Sequence, residues 1–472
     1  MNNTNKQIVI IGGGITGLST AYYLQKEITR NQLPFNIKLV EASNRLGGKI
    51  RTLQRDGFTI EQGADSMLIR KKPAVKLVKE LGLENEIVRN ATGKSYILAN
   101  HKFHRIPKDT FMGVPKNIRS VLRSTLISPT GKIRALADLV KAKGKGDKDE
   151  SLGSFFERRF GKELLTNQIE TLLSGIHSGD IYNMSLQASY PNFYQLEQKY
   201  GSLIKGLSKT MPKTTKQIEK QSAPGMFFSF KNGLETLVHE LKKTLDPEMV
   251  TLGTAVDHIE KKEHFYHLLL SNGDVYRADA IIVTSPSFTL PKLFSQYDFF
   301  KPFKEIPATS TANIVLAFDQ VKIKKDIDGT GFLVRKNSGY QISACTWTHK
   351  KWPLTTPEGK VLLRCYVGRP GEESVVDLSD EDLTEVVLKD LRKVMKLKGD
   401  PAFSVVTRWR QGRPQYTVGH LERLSKTRKQ AAEQVPGVFL TGSSYEGQGI
   451  PDCIEQGEKT AQETLQFLLA RY

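Results

Sequence analysis

The hydrophobic pattern changes period twice within the first forty residues. Gln7-Ile8-Val9-Ile10-Ile11 is a short apolar run, the signature of a strand buried on both faces. From Ile15 to about Thr29 the apolar positions recur at helical spacing and predict a helix that carries Leu18, Ala21, Tyr22 and Leu24 inward. Ile37-Lys38-Leu39-Val40 then reads as a second strand. Further along, Ala280-Ile281-Ile282-Val283-Thr284 and Val438-Phe439-Leu440-Thr441-Gly442 repeat the buried-strand pattern. A parallel sheet assembled from widely separated segments is therefore expected. A helix to about Leu245, with strand-like pieces at Met249 to Leu252 and His264 to Leu270, precedes the later strands. Strands at Ile314 to Phe318, Gly331 to Val334, Ile342 to Trp347 and Val361 to Val367 suggest an antiparallel sheet in a second region. Residues 73 to 200 read as mainly helical, interrupted by Pro107, Pro115 and Pro129. Gly144 to Asp149 and Pro212 to Pro224 read as exposed surface connections, the first of them mobile.

The residues between the first strand and helix bring in chemistry. Gly12, Gly13 and Gly14 stand there with Gly17 completing G-x-G-x-x-G, a spacing that lets backbone approach a pyrophosphate at a helix N-terminus. Such a motif alone is weak, but here the second strand ends on Glu41, where an acid holds ribose hydroxyls and disfavours a 2′-phosphate. Strand, glycines, helix, strand and acid in register predict an adenine dinucleotide site.

At 472 residues with 39% hydrophobic content, the chain has room for two or three globular domains. Without an apolar run near eighteen residues, or a signal-like core in Met1 to Asn5, a cytoplasmic or peripheral protein is expected. Cys345, Cys365 and Cys453 are odd in number and far apart along the chain, which supports neither a disulfide framework nor a zinc cluster. No Cys-x-x-Cys is present, which argues against a dithiol relay. The nine histidines, His177 and His420 among them, are scattered and read as structural; no catalytic triad, carboxylate pair or metal constellation stands out.

The net charge of +19 calls for an anionic partner. Between Lys102 and Lys148 there are twelve Lys or Arg against three acids, interleaved with apolar residues. Ile118, Val121, Leu122 and Leu126 fall at helical spacing, so two readings stay open: an amphipathic helix packed on a core, or an interfacial helix with a cationic rim. No aromatic stacking surface accompanies the charge, so nucleic acid is not expected.

Five further segments carry a family resemblance. Glu41-Ala42-Ser43-Asn44-Arg45-Leu46-Gly47-Gly48-Lys49, following the glycine motif, and Gly447-Gln448-Gly449-Ile450-Pro451-Asp452-Cys453-Ile454 near the end resemble the flavin amine oxidase superfamily. Pro414-Gln415-Tyr416-Thr417-Val418-Gly419-His420 and Ala344-Cys345-Thr346-Trp347-Thr348, with Lys351-Trp352-Pro353, narrow the resemblance to the porphyrinogen oxidases, most closely the soluble coproporphyrinogen III oxidases of Gram-positive bacteria. It covers essentially the whole chain.

The resemblance implies an α/β fold: a Rossmann-like FAD-binding domain in separated segments, a mixed α+β substrate domain and a helical insertion. The implied division is FAD-binding at 1–70, 225–295 and 405–472, substrate-binding at 71–100, 181–224 and 296–404, and a basic helical domain at 101–180. The implied FAD contacts are Gly12, Gly13, Gly14, Ile15, Thr16, Gly17, Glu41 and Ala42 for the adenosine diphosphate, with Val256 at adenine. Arg45, Gly48 and Lys49 lie along the flavin in that pattern. Arg45 and Lys49 serve either a developing flavin anion or the pyrophosphate. Gly63, Ala64, Asp65 and Ser66 approach the ring edge, and Trp409 lies nearby. Gly449, Ile450 and Pro451 bring a helix N-terminus to the pyrimidine edge. Cys453 reads as packed. Lys71 is implied for a substrate propionate, with Ile176 and Tyr366 lining the pocket.

The implied reaction is six-electron oxidation of a porphyrinogen, with oxygen as acceptor and peroxide as product. A basic chain favours the tetracarboxylate coproporphyrinogen over dicarboxylate protoporphyrinogen IX, the alternative substrate. A generic amine oxidase or carotenoid desaturase stands behind these, and a non-catalytic FAD-binding scaffold is the alternative of another class. The basic stretch faces a membrane, covers the pocket or receives the next enzyme of haem synthesis.

Overall fold

In a computed structural model, residues 5–107, 109–144, 146, 148–211, 225–319, 323 and 326–471 are described. The stretch from Pro212 to Pro224 read as a connection, and Lys108, Lys145 and Asp147 of the basic stretch, lie outside the described residues, Pro212 to Pro224 in full.

The expected parallel sheet has five strands. Their spatial order is Val250–Thr251, Phe35–Val40, Lys6–Ile11, Ala280–Val283 and Val438–Leu440, and every pairing is parallel. Ile8, Ile10, Ile281, Ile282 and Val283 are fully buried because helices and further strands cover both faces. The helix Ile15–Asn31 packs on one face beside the last helix, Ile450–Leu469, so the two ends of the chain meet there. Leu18, Ala21 and Leu24 point inward as expected, but Tyr23 is the buried tyrosine and Tyr22 is only half-buried.

A second sheet of seven strands forms the other main layer. Its order is Phe403–Pro414, Ala308–Asp319, Lys360–Val367, Ala344–Trp347, Gly331–Val334, Ser95–Ala99 and Lys102–Arg105. All pairings are antiparallel except Gly331–Val334 with Ser95–Ala99. Two departures from expectation appear here. Residues 95–105 are strands inside the stretch read as mainly helical, because a short apolar run such as Tyr96-Ile97-Leu98 has no period of its own and pairs where an edge is available. The boundary expected at 404 falls inside Phe403–Pro414, a strand paired along most of Ala308–Asp319. Cys345 and Cys365, twenty residues apart, are direct cross-strand neighbours in this sheet, and both are free and buried.

Helices between residues 118 and 210 surround a third core containing Val121, Phe155, Phe156, Ile169, Phe193 and Leu203. That core includes residues from the segment 181–210 that was expected in the substrate domain. Arg159, fully buried, ties the region together: its Nε donates to Asp138 at 2.6 Å, and Nη1 lies 3.2 Å from Glu197. The basic helix Ile118–Arg123 divides between the two readings: Val121 is core, whereas Ile118 and Leu122 are 46% and 53% exposed. The loop around Gly144 is tethered, since Gln198 donates to the Gly144 carbonyl and Tyr194 to that of Gly146. Among the described residues, no helix is long and apolar enough to cross a membrane.

Candidate functional site

The site lies at the carboxyl ends of the parallel strands, where the glycine motif leaves the first strand. Gly17 sits so close to the preceding turn that a Cβ there would overlap the Gly12 carbonyl oxygen, which explains the glycine at the third motif position. Gly14 precedes the first helix without a side-chain cap, and the space its missing Cβ would fill is open. Ile15 and Thr16, both buried, form the first turn beyond it. The Glu41 carboxylate accepts from the Gly13 amide at 2.6 Å and from the Ser43 amide at 2.8 Å. Exposed Ala42 lies next to it. Thr254 donates its amide to the Glu41 carbonyl, which brings Val256, 8% exposed, to the same end of the sheet.

An uncapped helix N-terminus, an open cradle beside glycine and an acid at the second strand's end fit the diphosphate and ribose of an adenine dinucleotide. Gly449, Ile450 and Pro451 begin the last helix, also uncapped by a side chain, and Cys453 one turn later is buried in the core with its thiol pushed up to about 11 by burial. The first turns of these two helices lie side by side.

The segment Gly63-Ala64-Asp65-Ser66 forms the next part of the wall and is anchored through its backbone. Trp409 Nε1 donates to the Gln62 carbonyl at 2.8 Å, Asn313 donates to the carbonyls of Glu61 and Gln62, and Arg364 donates to the Gly63 carbonyl. A Cβ on Gly63 would overlap the Lys49 carbonyl oxygen, so the two backbone stretches touch. Ser66 donates to Asp65 at 2.7 Å. Asp65 also takes Lys351 at 2.7 Å and lies 3.7 Å from Arg364. Burial alone would raise the Asp65 carboxyl, but Lys351 and Arg364 outweigh it and hold the group well below the usual range. Neighbouring Glu61 is pushed up to about 7 by burial, against the hydrogen bonds from the Leu234 amide and the Thr52 hydroxyl. A cavity of about 60 Å³ adjoins Glu61, Asp65 and Arg364, large enough for ordered water.

The cations divide by what they touch. Arg45 uses its guanidinium on the carbonyls of Gly48 and Ile50, with Glu235 at 3.1 Å, so it holds the glycine turn in shape. Lys49 stands in the cleft, open to solvent on one side, and donates to the Gly412 carbonyl. Burial by the surrounding protein, with the Arg413 charge adding to it, lowers its pKa. Lys71 pairs with Asp452 of the last helix at 2.6 Å. Tyr366 lies under Arg364, whose guanidinium sits 5.1 Å from its ring centroid. Arg413 donates to the Ile176 carbonyl and interacts electrostatically with Tyr366. Ile176 and Tyr366 thus share a neighbour, while Lys71 is held at the first turn of the last helix.

His177 Nε2 lies 2.8 Å from the Tyr190 hydroxyl, and burial, then the Arg413 charge, push it down to about 4, so it is neutral near pH 7. His420 is buried, lies 2.8 Å from the Tyr445 carbonyl and stacks on Tyr416. Both are held as packing residues. Among the described residues, no group of three His, Cys, Asp or Glu has the arrangement to hold a metal. Lys351, Arg364 and Arg413 were not singled out from sequence. Lys351 stood inside the Lys-Trp-Pro motif and Arg413 beside Pro-Gln-Tyr, a signal of position but not of role.

Comparison with known proteins gives the family. The chain is 47% identical to the coproporphyrinogen III oxidase of Bacillus subtilis (strain 168) over 470 residues, covering all of both chains. It is 42% identical to the enzyme of that name from Staphylococcus aureus (strain NCTC 8325 / PS 47), over 98% of this chain and 99% of the other. A crystal structure from Exiguobacterium sp. 255-15, assigned provisionally as a protoporphyrinogen oxidase, superposes with a TM-score of 0.87 at 35% identity, over 98% of this chain and 99% of that one. The model of the flavin containing amine oxidoreductases matches residues 15–465. With the glycine cradle, Glu41 and two helix N-termini arranged as a flavin adenine dinucleotide requires, the chain belongs to the flavin-containing amine oxidoreductase family and takes FAD as its cofactor.

Proposed function

We propose that this chain oxidises coproporphyrinogen III to coproporphyrin III with molecular oxygen as terminal acceptor, as a step of haem synthesis. The observation that carries the reading is the positive charge gathered around the cleft. Lys49, Lys351, Arg364 and Arg413 converge there, with Asp65 as the acid paired to two of them. Such a surplus suits a substrate with several carboxylates.

FAD, when bound, supplies a two-electron acceptor for each of three successive dehydrogenations. Gly12 to Gly17 and Glu41 hold its diphosphate and ribose, with Ala42 and Val256 beside the adenosine. Gly48, Lys49, Gly63 to Ser66, Trp409 and Gly449 to Pro451 hold the ring end, and Arg45 shapes the loop that carries Gly48. Lys71, Ile176 and Tyr366 contact the macrocycle. The substrate loses six electrons and six protons in total, balanced by three molecules of oxygen leaving as three of peroxide. Neutral His177 and the Tyr190 hydroxyl supply no strong base, and none is needed because the pyrrole nitrogens carry protons away. Catalysis then comes from holding a flat ring against its acceptor in a site walled from water.

The division into FAD-binding, substrate-binding and basic helical segments belongs to this reading. So does a contact of the exposed Ile118 and Leu122, set among Arg119 and Arg123, with a membrane surface or the next enzyme of the pathway. Oxygen uptake and porphyrin fluorescence with both porphyrinogens test the proposal. Coproporphyrinogen is expected to turn over faster; the reverse order assigns protoporphyrinogen as substrate. A yellow protein that consumes no oxygen with either would be a scaffold.

A further inference from the structure

The basic residues around the site differ in one respect that bears on substrate choice. Arg45 has Glu235, Lys71 has Asp452, and Lys351 and Arg364 share Asp65. Arg413, like Lys49, has no carboxylate partner among the described residues. Its guanidinium donates to the carbonyl of Ile176, in the last turn of the helix Glu170–His177, leaving most of its N–H donors free. The side chain is half-buried, and Arg364 and Lys49, both cations, lie within electrostatic reach. A half-buried cation beside two others is favoured by an anion that completes the set. Guanidinium matches a carboxylate bidentately, which an ammonium does not.

Position gives the partner's place. Arg413 ends the edge strand Phe403–Pro414, opposite Thr309, and its neighbour Gly412 receives Lys49. Its carbonyl is held by Gln415 Nε2 at 2.9 Å, so the residue is fixed at the backbone while its fork makes one bond, to the Ile176 carbonyl. Lys71 is held by Asp452 in the first turn of the last helix. Arg413 stands beside Tyr366, so a macrocycle lying against Tyr366 would meet it with one rim.

We propose that Arg413 is a specificity residue that pairs with one of the two propionates that coproporphyrinogen carries and protoporphyrinogen lacks. This rests on the substrate reading above and deepens it. Lys71 then serves a carboxylate common to both substrates, and Arg413 selects the tetracarboxylate.

Porphyrin binding to the FAD-loaded enzyme tests this apart from turnover. Coproporphyrin III has four propionates and deuteroporphyrin IX two, and fluorescence titration of both is expected to show wild type preferring the former. Arg413→Gln should weaken coproporphyrin III about 10- to 100-fold. It should leave deuteroporphyrin IX within about threefold, with the Michaelis constant for coproporphyrinogen rising far more than the turnover number falls. Arg413→Lys should recover part of the loss. Equal weakening of both porphyrins, or a change confined to the flavin midpoint potential, overturns the assignment. If Arg413→Gln fails to retain FAD, wild type decides: equal affinity for the two porphyrins overturns the proposal. Wild type that binds neither porphyrin and oxidises neither porphyrinogen instead removes the substrate reading itself.

Discussion

The two walls of the site are made of different material. Along the parallel sheet the chain presents backbone: an uncapped helix start at Gly14, a glycine turn that admits no side chain at Gly17, and one acid at a strand end. Along the seven-stranded sheet it presents side chains: Arg364, Tyr366 and Arg413 from two strands, with Lys351 beyond them. The first wall suits a ligand part common to a large family. The second is made of side chains, and a side-chain charge changes by single substitution while a backbone turn does not. On the function proposed above, main chain holds the flavin and replaceable cations meet the substrate.

The comparison breaks most sharply at glycine. Gly63→Ala puts a methyl group into the Lys49 backbone and is expected to cost about 3 kcal/mol or more, with loss of flavin. Gly14→Ala is the contrasting case: its methyl meets no protein atom, so thermal unfolding of the FAD-free protein should move by less than about 1 kcal/mol. Flavin absorbance per polypeptide should nevertheless fall. Unchanged flavin content in Gly14→Ala would show that no phosphate lies against that position.

Asp65 tests the side-chain wall. Asp65→Asn leaves Lys351 and Arg364 without their shared carboxylate and is expected to cost about 3–5 kcal/mol by denaturant unfolding. The pH dependence has a fixed sign. The Asp65 pKa is lowered in the folded chain, so its contribution is complete above its ordinary value of 3.8 and drains away as pH falls below it. Wild type should lose stability there more steeply than Asp65→Asn, and matching slopes would remove the pair from the account.

Lys71→Ala should have the smallest effect. Its side chain is 44% exposed and already paired with Asp452, so stability should change by less than about 1 kcal/mol. The Michaelis constant for coproporphyrinogen should rise less than in Arg413→Gln. A larger rise would move the main carboxylate anchor to Lys71.

What was readable beforehand follows the same division. The glycine motif, Glu41 and the buried strands around Ile10, Ile282 and Leu440 stood in the residue pattern because a parallel strand covered on both faces must be apolar throughout. Ser95–Ala99 did not stand out, since its identity as a strand depends on the edge offered by Gly331–Val334. Ile118 and Leu122 shared a periodic stripe with Val121, yet only Val121 reached a core, because the neighbouring helices cover one side of that short helix. The substrate wall was least visible. Arg364 and Arg413 look like any basic residue in a chain of net charge +19.

By itself the sequence determined the dinucleotide cradle, since a short-range pattern of strand, glycine and helix encodes a backbone shape that forms wherever it is buried. Only the tertiary structure decided which cations keep a carboxylate. Asp65 meets Lys351 across 286 positions of chain, Asp452 meets Lys71 across 381, and Arg413 meets none among the described residues. Pairing depends on distance in space, and no local pattern carries it.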